Sequence, residues 1–209
     1  MMSTTHNRLM CSLLVLCGIA AGSGCGERPP SAAEQAARAA REAEQAADAK
    51  AREERLAALE AERLAAIWTY HDLPAEQGRQ RTAAIRSADD VDTDGQGARA
   101  VQLVFRDHPS WGRSSYLVLQ AGDFDCSPRC TVSVTVDDAE PMRMAARRPN
   151  TDEAIAMFVD DAEALWRLTS DATRLSIAFP VEAVGTRTAR FDVAGLDALK
   201  MPGWTADGE

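Results

Sequence analysis

The sequence predicts an all-β fold, an antiparallel β-sandwich with one short helix, preceded by a long N-terminal α-helix. Residues 31–66 are almost entirely Ala, Glu, Arg, Gln and Leu, without Gly or Pro, which favours one uninterrupted helix. From Ile67 onward, apolar and polar residues alternate in short runs such as 131–136 and 175–179, and this period of two indicates strands. Turn residues separate the runs, and many short strands at this spacing are typical of a sandwich or barrel.

Ser31 and Glu34 form the S-x-x-E pattern of a capping box, which predicts that the long helix begins there. Alanines at 36, 39, 43 and 46 share one seam, but Lys50 and Glu53 fall on the same seam. Alanine also buries little apolar area, so the seam is a weak contact surface. We interpret residues 31–66 as a lone solvated stalk, with a coiled coil or a partner-docking helix as the alternatives.

The β-sandwich domain is predicted over residues 67–200, followed by a C-terminal tail at 201–209. Within the domain, Asp160 and Glu163 form a second capping box, and Phe158, Leu165 and Trp166 recur at helical spacing. This segment predicts one short helix that packs across an edge or an end of the sheet.

The first 24 residues are typical of a signal peptide. Arg8 is their only charged residue apart from a histidine, and an apolar stretch runs from 9 to 21. That stretch is shorter than the roughly 20 residues that span a bilayer. Small residues at 20–24 then precede Cys25. We expect cleavage before Cys25 and a short tether at 25–30.

The small residues before Cys25 resemble the lipobox of bacterial lipoproteins, with Gly22 where an aliphatic residue is usual. The resemblance implies that the Cys25 thiol receives a diacylglycerol and that the new N-terminus is acylated, with palmitate as a typical chain. Gly26, rather than Asp, after the cysteine implies the outer membrane, facing the periplasm. The alternative is an ordinary cleaved signal followed by an unrelated cysteine.

The five cysteines divide in a way that fits export. Cys11 and Cys17 lie in the signal peptide and Cys25 takes the lipid, which leaves Cys126 and Cys130 as an even pair. In an oxidising compartment such a pair is expected to form a disulfide. A metal site would need two further ligands, and no His or Cys lies nearby in the sequence.

The region 67–196 resembles a family of uncharacterised bacterial envelope proteins, many of them lipoproteins. The resemblance rests on an ordered series of short motifs: Trp68-Thr69-Tyr70, His108-Pro109, Gly122-Asp123-Phe124-Asp125-Cys126 with Cys130, Val136-Asp137-Asp138, and Phe191-Asp192-Val193-Ala194-Gly195-Leu196. It implies an architecture and an envelope location, but no particular activity.

Residues 90–95 read D-V-D-T-D-G, which matches the first half of a calcium-binding loop. The twelfth position holds Val101 instead of the bidentate Glu, and the run joins two strands rather than two helices. We interpret Asp90, Asp92 and Asp94 as a solvated acidic turn, with calcium binding as the alternative. No metal or cofactor is predicted.

No catalytic residue is predicted. His71 and His108 are the histidines outside the signal peptide, neither lies in a G-x-S-x-G elbow, and no free thiol remains beside them. His108 precedes Pro109 and is interpreted as a turn residue. We therefore do not expect an enzyme.

The formal net charge is −9 at pH 7, which disfavours nucleic acid as a partner because phosphates require basic patches. The sequence favours a non-enzymatic envelope lipoprotein that is anchored through Cys25 and contacts a periplasmic protein or ligand. The alternative is an immunity or inhibitor lipoprotein that neutralises a periplasmic toxin or hydrolase, since an acidic surface steers toward basic partners.

Overall fold

The computed structural model describes residues 30–149 and 155–205. The predicted signal peptide and Cys25 lie outside this range. The helices are α1 (Ala32–Ala66), α2 (Ala162–Ser170) and α3 (Pro202–Thr205), with a 3-10 helix at Ala198–Lys200. The strands are β1 (Trp68–Ala75), β2 (Gly78–Arg86), β3 (Val91–Asp92), β4 (Ala98–Arg99), β5 (Gln102–His108), β6 (Gly112–Val118), β7 (Arg129–Val136), β8 (Met142–Arg147), β9 (Ala156–Val159), β10 (Arg174–Val181) and β11 (Gly185–Asp192).

The chain divides into two compact units, and the division falls inside α1 between Ala49 and Lys50. In the first unit the helix starts with the predicted capping box: the Glu34 amide donates to Ser31 Oγ at 3.3 Å, and the Ser31 amide donates to Glu34 Oε2 at 2.7 Å. These bonds pair two amides that have no partner within the helix.

In the second unit the last turn of α1 packs against the loop after β11. Gly195 has a φ of +87°, and a Cβ added there would lie 2.8 Å from the carbonyl carbon of Leu64. Only glycine therefore fits at this position, because any side chain would collide with the helix backbone.

The predicted all-β class is confirmed at the level of antiparallel sheet with few helices. Within the described residues, nine strands form one sheet in the order β1-β2-β5-β6-β9-β8-β7-β10-β11, and β3 pairs with β4. The sheet curls so that its two ends approach each other: the Ala88 amide donates to the Arg190 carbonyl at 2.7 Å, and Trp68 Nε1 donates to the Val193 carbonyl at 3.2 Å. The arrangement is consistent with a β-sandwich in which one curled nine-stranded sheet supplies both layers.

The core lies inside the curled sheet and consists of the inward-facing residues of its strands. Phe105 of β5 is completely buried, and Trp166 of α2 and Trp204 of α3 meet its ring edge-on at centroid distances of 5.1 and 5.5 Å. The two helices thus close the core at this point with large aromatic area.

The sequence predicted a C-terminal tail at 201–209. This prediction is wrong for residues 201–205. Met201 is fully buried and Trp204 is 5% exposed, so α3 belongs to the core of the domain. The short run 201–205 carries no period that distinguishes it from a solvated end, and only its packing partners assign it to the interior.

Helix α2 begins one residue later than its predicted capping box. Asp161 is the N-cap and accepts from the Ala164 amide at 2.9 Å, whereas Asp160 pairs with Arg129 and Arg147. Phe158, predicted on the helix, lies in β9. A strand of four residues directly before a helix leaves too few positions for its period of two to be recognised.

Asp137, the first of the two adjacent aspartates at 137 and 138, has a structural role. It has a φ of +48°, and its Oδ1 accepts from the backbone amides of Thr173 and Arg174 at 3.1 and 2.8 Å. The amide of Arg174 is the principal cause of a lowered pKa for Asp137. The carboxylate therefore ties the end of β7 to the start of β10 as a turn residue.

Candidate interaction surface

Two hairpin turns lie side by side at one end of the sheet. Ala75 pairs with Gly78, so Glu76 and Gln77 make a two-residue turn between β1 and β2. His108 pairs with Gly112, so residues 109–111 make a three-residue turn between β5 and β6. Because β2 pairs with β5, the turns are neighbours.

The three-residue turn has the conformation that its sequence requires. Gly112 has a φ of +70°, as expected for the left-handed residue that ends such a loop. Nδ1 of His108 accepts from the Ser110 amide at 3.1 Å, which confirms the interpretation of His108 as a turn residue. The turn holds Trp111 at its tip.

Trp111 folds back over the outer face of β5. Its ring stacks on His108 at a centroid distance of 3.8 Å and an interplanar angle of 13°, yet the residue is 68% exposed. A parallel ring at 3.8 Å covers one face of the indole, and at 68% exposure much of the rest of the side chain is open to solvent. Trp111 is therefore an aromatic plate supported from behind.

Arg106 extends this support across the outer face of the sheet. Its guanidinium carbon lies 5.2 Å from the ring centroid of Trp111, 5.5 Å from that of Tyr116 and 5.9 Å from that of Phe158. Each distance is within the range of a cation–π contact. Its Nε donates to Ser114 Oγ at 3.2 Å, which fixes the plane of the guanidinium.

Tyr116 and Phe158 form the second aromatic contact on this face, with ring centroids 4.9 Å apart. Burial raises the pKa of the Tyr116 hydroxyl, although the charge of Arg106 opposes the shift. Tyr116 therefore remains a neutral hydroxyl at physiological pH. The outer face thus carries aromatic rings on both sides of one arginine.

A groove of about 590 Å³ separates the two turns. We call it the Trp111 groove and define it by six residues: Leu73, Glu76 and Gln80 from the first hairpin, and His108, Ser110 and Trp111 from the second. Leu73 is 52% exposed, so an aliphatic and an aromatic side chain face solvent across it. Exposed Trp in such a setting is characteristic of binding surfaces.

A second groove of about 630 Å³ contains His71, Arg86, Gln102 and Asp192, with Arg63 of α1 at its rim. We call it the His71 groove. Ser87 also lines it, but its Oγ accepts from the Val101 amide at 2.9 Å. His71 pairs with Thr82 on β2, five residues before Ser87, which corresponds to roughly 16 Å along a strand. The two side chains are too far apart to form a nucleophile–base pair.

The structure joins Cys126 and Cys130 by a disulfide, as predicted. Cys126 is 1% exposed and lies in the loop that leads into β7, while Cys130 is the second residue of that strand and pairs with Ala146. The bridge closes the loop at the strand entrance rather than a hairpin between two strands. Sγ of Cys130 also lies 3.5 Å from Sδ of Met157, so both sulfurs belong to the packed interior.

A carboxylate of the acidic turn at 90–95 accepts hydrogen bonds from backbone amides of the same turn. Asp92 Oδ1 accepts from the amides of Asp94 and Gly95 at 3.3 and 2.7 Å, and Asp94 pairs with Arg99 at 3.1 Å. The Gly95 amide is the first cause of a lowered pKa for Asp92. Within the described ranges, no group of three or more His, Cys, Asp or Glu residues is arranged to hold a metal ion.

Trp111 was not among the candidate residues that the sequence indicated. The available signal was a large aromatic residue at a hairpin tip, where small and polar residues are usual. Residues 30–149 and 155–205 include no helix that is long and apolar enough to cross a membrane.

Comparison with known proteins adds little. No family model and no curated protein matches the chain. Among solved structures, the crystal structure of invasion associated protein B from Bartonella henselae is similar over 67% of this chain and 92% of that chain, with 14% identity and a TM-score of 0.43. A likeness of this size assigns no function, so any functional conclusion rests on the surface itself.

Proposed function

We propose that this protein is a non-enzymatic lipoprotein of the bacterial cell envelope, held by lipid on Cys25 in the outer membrane and facing the periplasm. Its β domain binds a protein or ligand through the Trp111 groove. The observation that carries the proposal is the Trp111 indole, stacked on His108 and 68% exposed. A supported aromatic plate gives contact area without first having to be ordered, which lowers the free-energy cost of binding.

The disulfide supports the export part of the proposal. Disulfides persist in the periplasm and outside the cell and are rare in the cytosol. The lipid anchor rests on the resemblance of the residues before Cys25 to a lipobox. Two or more acyl chains are needed for lasting attachment, since one chain binds a membrane only marginally.

Tryptophan quenching tests the binding surface. Trp68, Trp166 and Trp204 are between 4% and 5% exposed, so acrylamide should quench mainly Trp111 in the full chain. We expect a detergent extract of the producing bacterium's envelope to protect Trp111 from quenching. Trp111→Ala should remove the protected component, whereas Leu199→Ala should leave it unchanged. Leu199 is the matched control because it is 90% exposed and lies outside the groove.

Metabolic labelling with a palmitate analogue tests the anchor. The wild type should be labelled and recovered with membranes, and Cys25→Ala should be neither. Equal labelling of both proteins would contradict the lipoprotein assignment, while leaving the groove to be judged by quenching.

Two further measurements would identify a different functional class. Turnover of a cell-wall or lipid substrate that is lost in His71→Ala would identify an enzyme that works in the His71 groove. If this protein binds a toxin or hydrolase and the bound toxin or hydrolase loses its activity, the immunity or inhibitor function is favoured.

A further inference from the structure

The Trp111 groove has the features of a site for sugar rings. We propose that it binds a neutral or amino-sugar glycan chain, with one pyranose ring stacked on the face of Trp111 that is turned away from His108. This inference rests on the proposed function, because it names the ligand of the same surface.

The Trp111 indole matches the flat apolar face of a pyranose. The axial C–H bonds of a sugar such as N-acetylglucosamine form a flat apolar face, which packs against an aromatic ring. His108 behind the indole, 3.8 Å away, keeps that ring in place. Two rigid surfaces that meet in this way lose little conformational entropy.

The polar side chains of the groove match the rim of a pyranose. Glu76 and Gln80 line the groove, and neither side chain is hydrogen-bonded to another described residue of the chain. Carboxylate and carboxamide groups are planar and offer two oxygens, or an oxygen and an NH₂ group, to neighbouring hydroxyls. The negative charge of Glu76 favours a neutral or amino sugar over an acidic one.

The size and openness of the groove favour a glycan chain over a protein partner. A volume of about 590 Å³ lies in the range of small-ligand sites, roughly 300–1,000 Å³. A stable protein interface needs roughly 800 Å² on each partner. Among the described residues, only Leu73 and Trp111 are large apolar side chains exposed at this groove. Because both remain more than half exposed, the groove is open and leaves room for neighbouring sugars.

The test uses the full chain in detergent micelles with chitohexaose and cellohexaose as probes, since both present pyranose faces and only the first carries acetamido groups. We expect at least one of them, at millimolar concentration, to reduce acrylamide quenching of Trp111 about twofold. Calorimetric titration should then give a dissociation constant that rises at least about tenfold in Trp111→Ala. Gln80→Ala should weaken binding less, because stacking is retained.

Two variants separate stacking from a general change in the surface. Trp111→Phe keeps a ring and should retain part of the binding. Leu199→Ala, outside the groove, should bind as the wild type does. Equal binding by Trp111→Ala and the wild type would overturn the assigned site.

The outcomes distinguish this inference from the proposed function. If the envelope extract protects Trp111 but neither oligosaccharide does, the glycan inference is wrong and the binding surface stands. If a protein in that extract accounts for the protection, the partner is a protein. If nothing protects Trp111, both proposals fail.

Discussion

The two faces of β5 carry two aromatic clusters with opposite properties. On the inner face, Phe105 is fully buried and contacts Trp68, Trp166 and Trp204. On the outer face, the next residue, Arg106, lies among Trp111, Tyr116 and Phe158. Since side chains alternate along a strand, a step of one residue separates the core from the surface.

The inner cluster joins elements that are not neighbours in the sheet, whereas the outer cluster joins neighbouring strands. Trp68, Trp166 and Trp204 come from β1, α2 and α3, so their packing on Phe105 holds three separate segments in place. The outer cluster is built on β5, β6, their turn and β9, which are adjacent in the sheet. Loss of the inner cluster should therefore unfold the domain, and loss of the outer cluster should affect binding alone.

The largest effect is expected from Phe105→Ala. Removing a fully buried aromatic side chain leaves a cavity and costs about 3–5 kcal/mol. Its neighbour provides the control: Arg106→Ala should cost about 1 kcal/mol or less, because the residue is partly exposed and its contacts are worth little individually. Urea unfolding of both variants measures the difference, and similar costs would contradict the division between the faces.

The disulfide comes next. Replacement of both Cys126 and Cys130 by Ser should lower the free energy of unfolding by about 2 kcal/mol, the chain-entropy contribution of so short a closed loop. The fold should survive, because the bridge closes one short loop at the entrance to β7 and the strand pairings of the sheet do not depend on its sulfur atoms. Thermal unfolding with and without a reducing agent measures the effect. Trp111 quenching should be the same in this variant and in the wild type, since the disulfide is not part of the groove.

Two buried tryptophans of the inner cluster should differ when each is changed to Phe. Nε1 of Trp68 donates to the Val193 carbonyl, whereas the buried Nε1 of Trp204 has no partner among the described residues. Trp68→Phe should therefore cost roughly 1 kcal/mol more than Trp204→Phe, which removes an unpaired donor. Urea unfolding of the two variants side by side tests this order, and the reverse order would show that volume, and not hydrogen bonding, dominates.

The smallest effect on stability is expected from Trp111→Ala. The side chain is 68% exposed, and surface substitutions of this kind usually change stability by no more than about 0.5 kcal/mol. The melting temperature should match that of the wild type, while acrylamide quenching of the remaining tryptophans should fall sharply. A large drop in the melting temperature would mean that the outer cluster also holds the fold.

Much of the fold could be predicted from local patterns. The alternating runs at 131–136 and 175–179 lie within β7 and β10, where the inward side chains are more buried than the outward ones. Strand β2 was missed because its inward and outward positions both hold alanine, at 83 and 84. A period of two needs a contrast between faces, and small residues on both faces provide none.

The candidate site was only partly predictable. The pairing of Cys126 with Cys130 and the turn at His108 follow from chemistry that is close in sequence. The Trp111 groove needs Leu73 and Glu76 from one hairpin beside Trp111 from another, and no local pattern specifies which hairpins become neighbours. That depends on the pairing of β2 with β5, across a connection of 15 residues.

By itself, the sequence determined the helical N-terminal run, the antiparallel β class, the turn residues and the even pair of cysteines, because each follows from interactions within a few residues. The tertiary structure alone decided that residues 201–205 are core, that Asp160 serves two arginines instead of a helix cap, and that Trp111 stands open beside a groove. These features depend on which segments pack together, and packing is decided by the burial of the whole chain rather than by the propensity of any one segment.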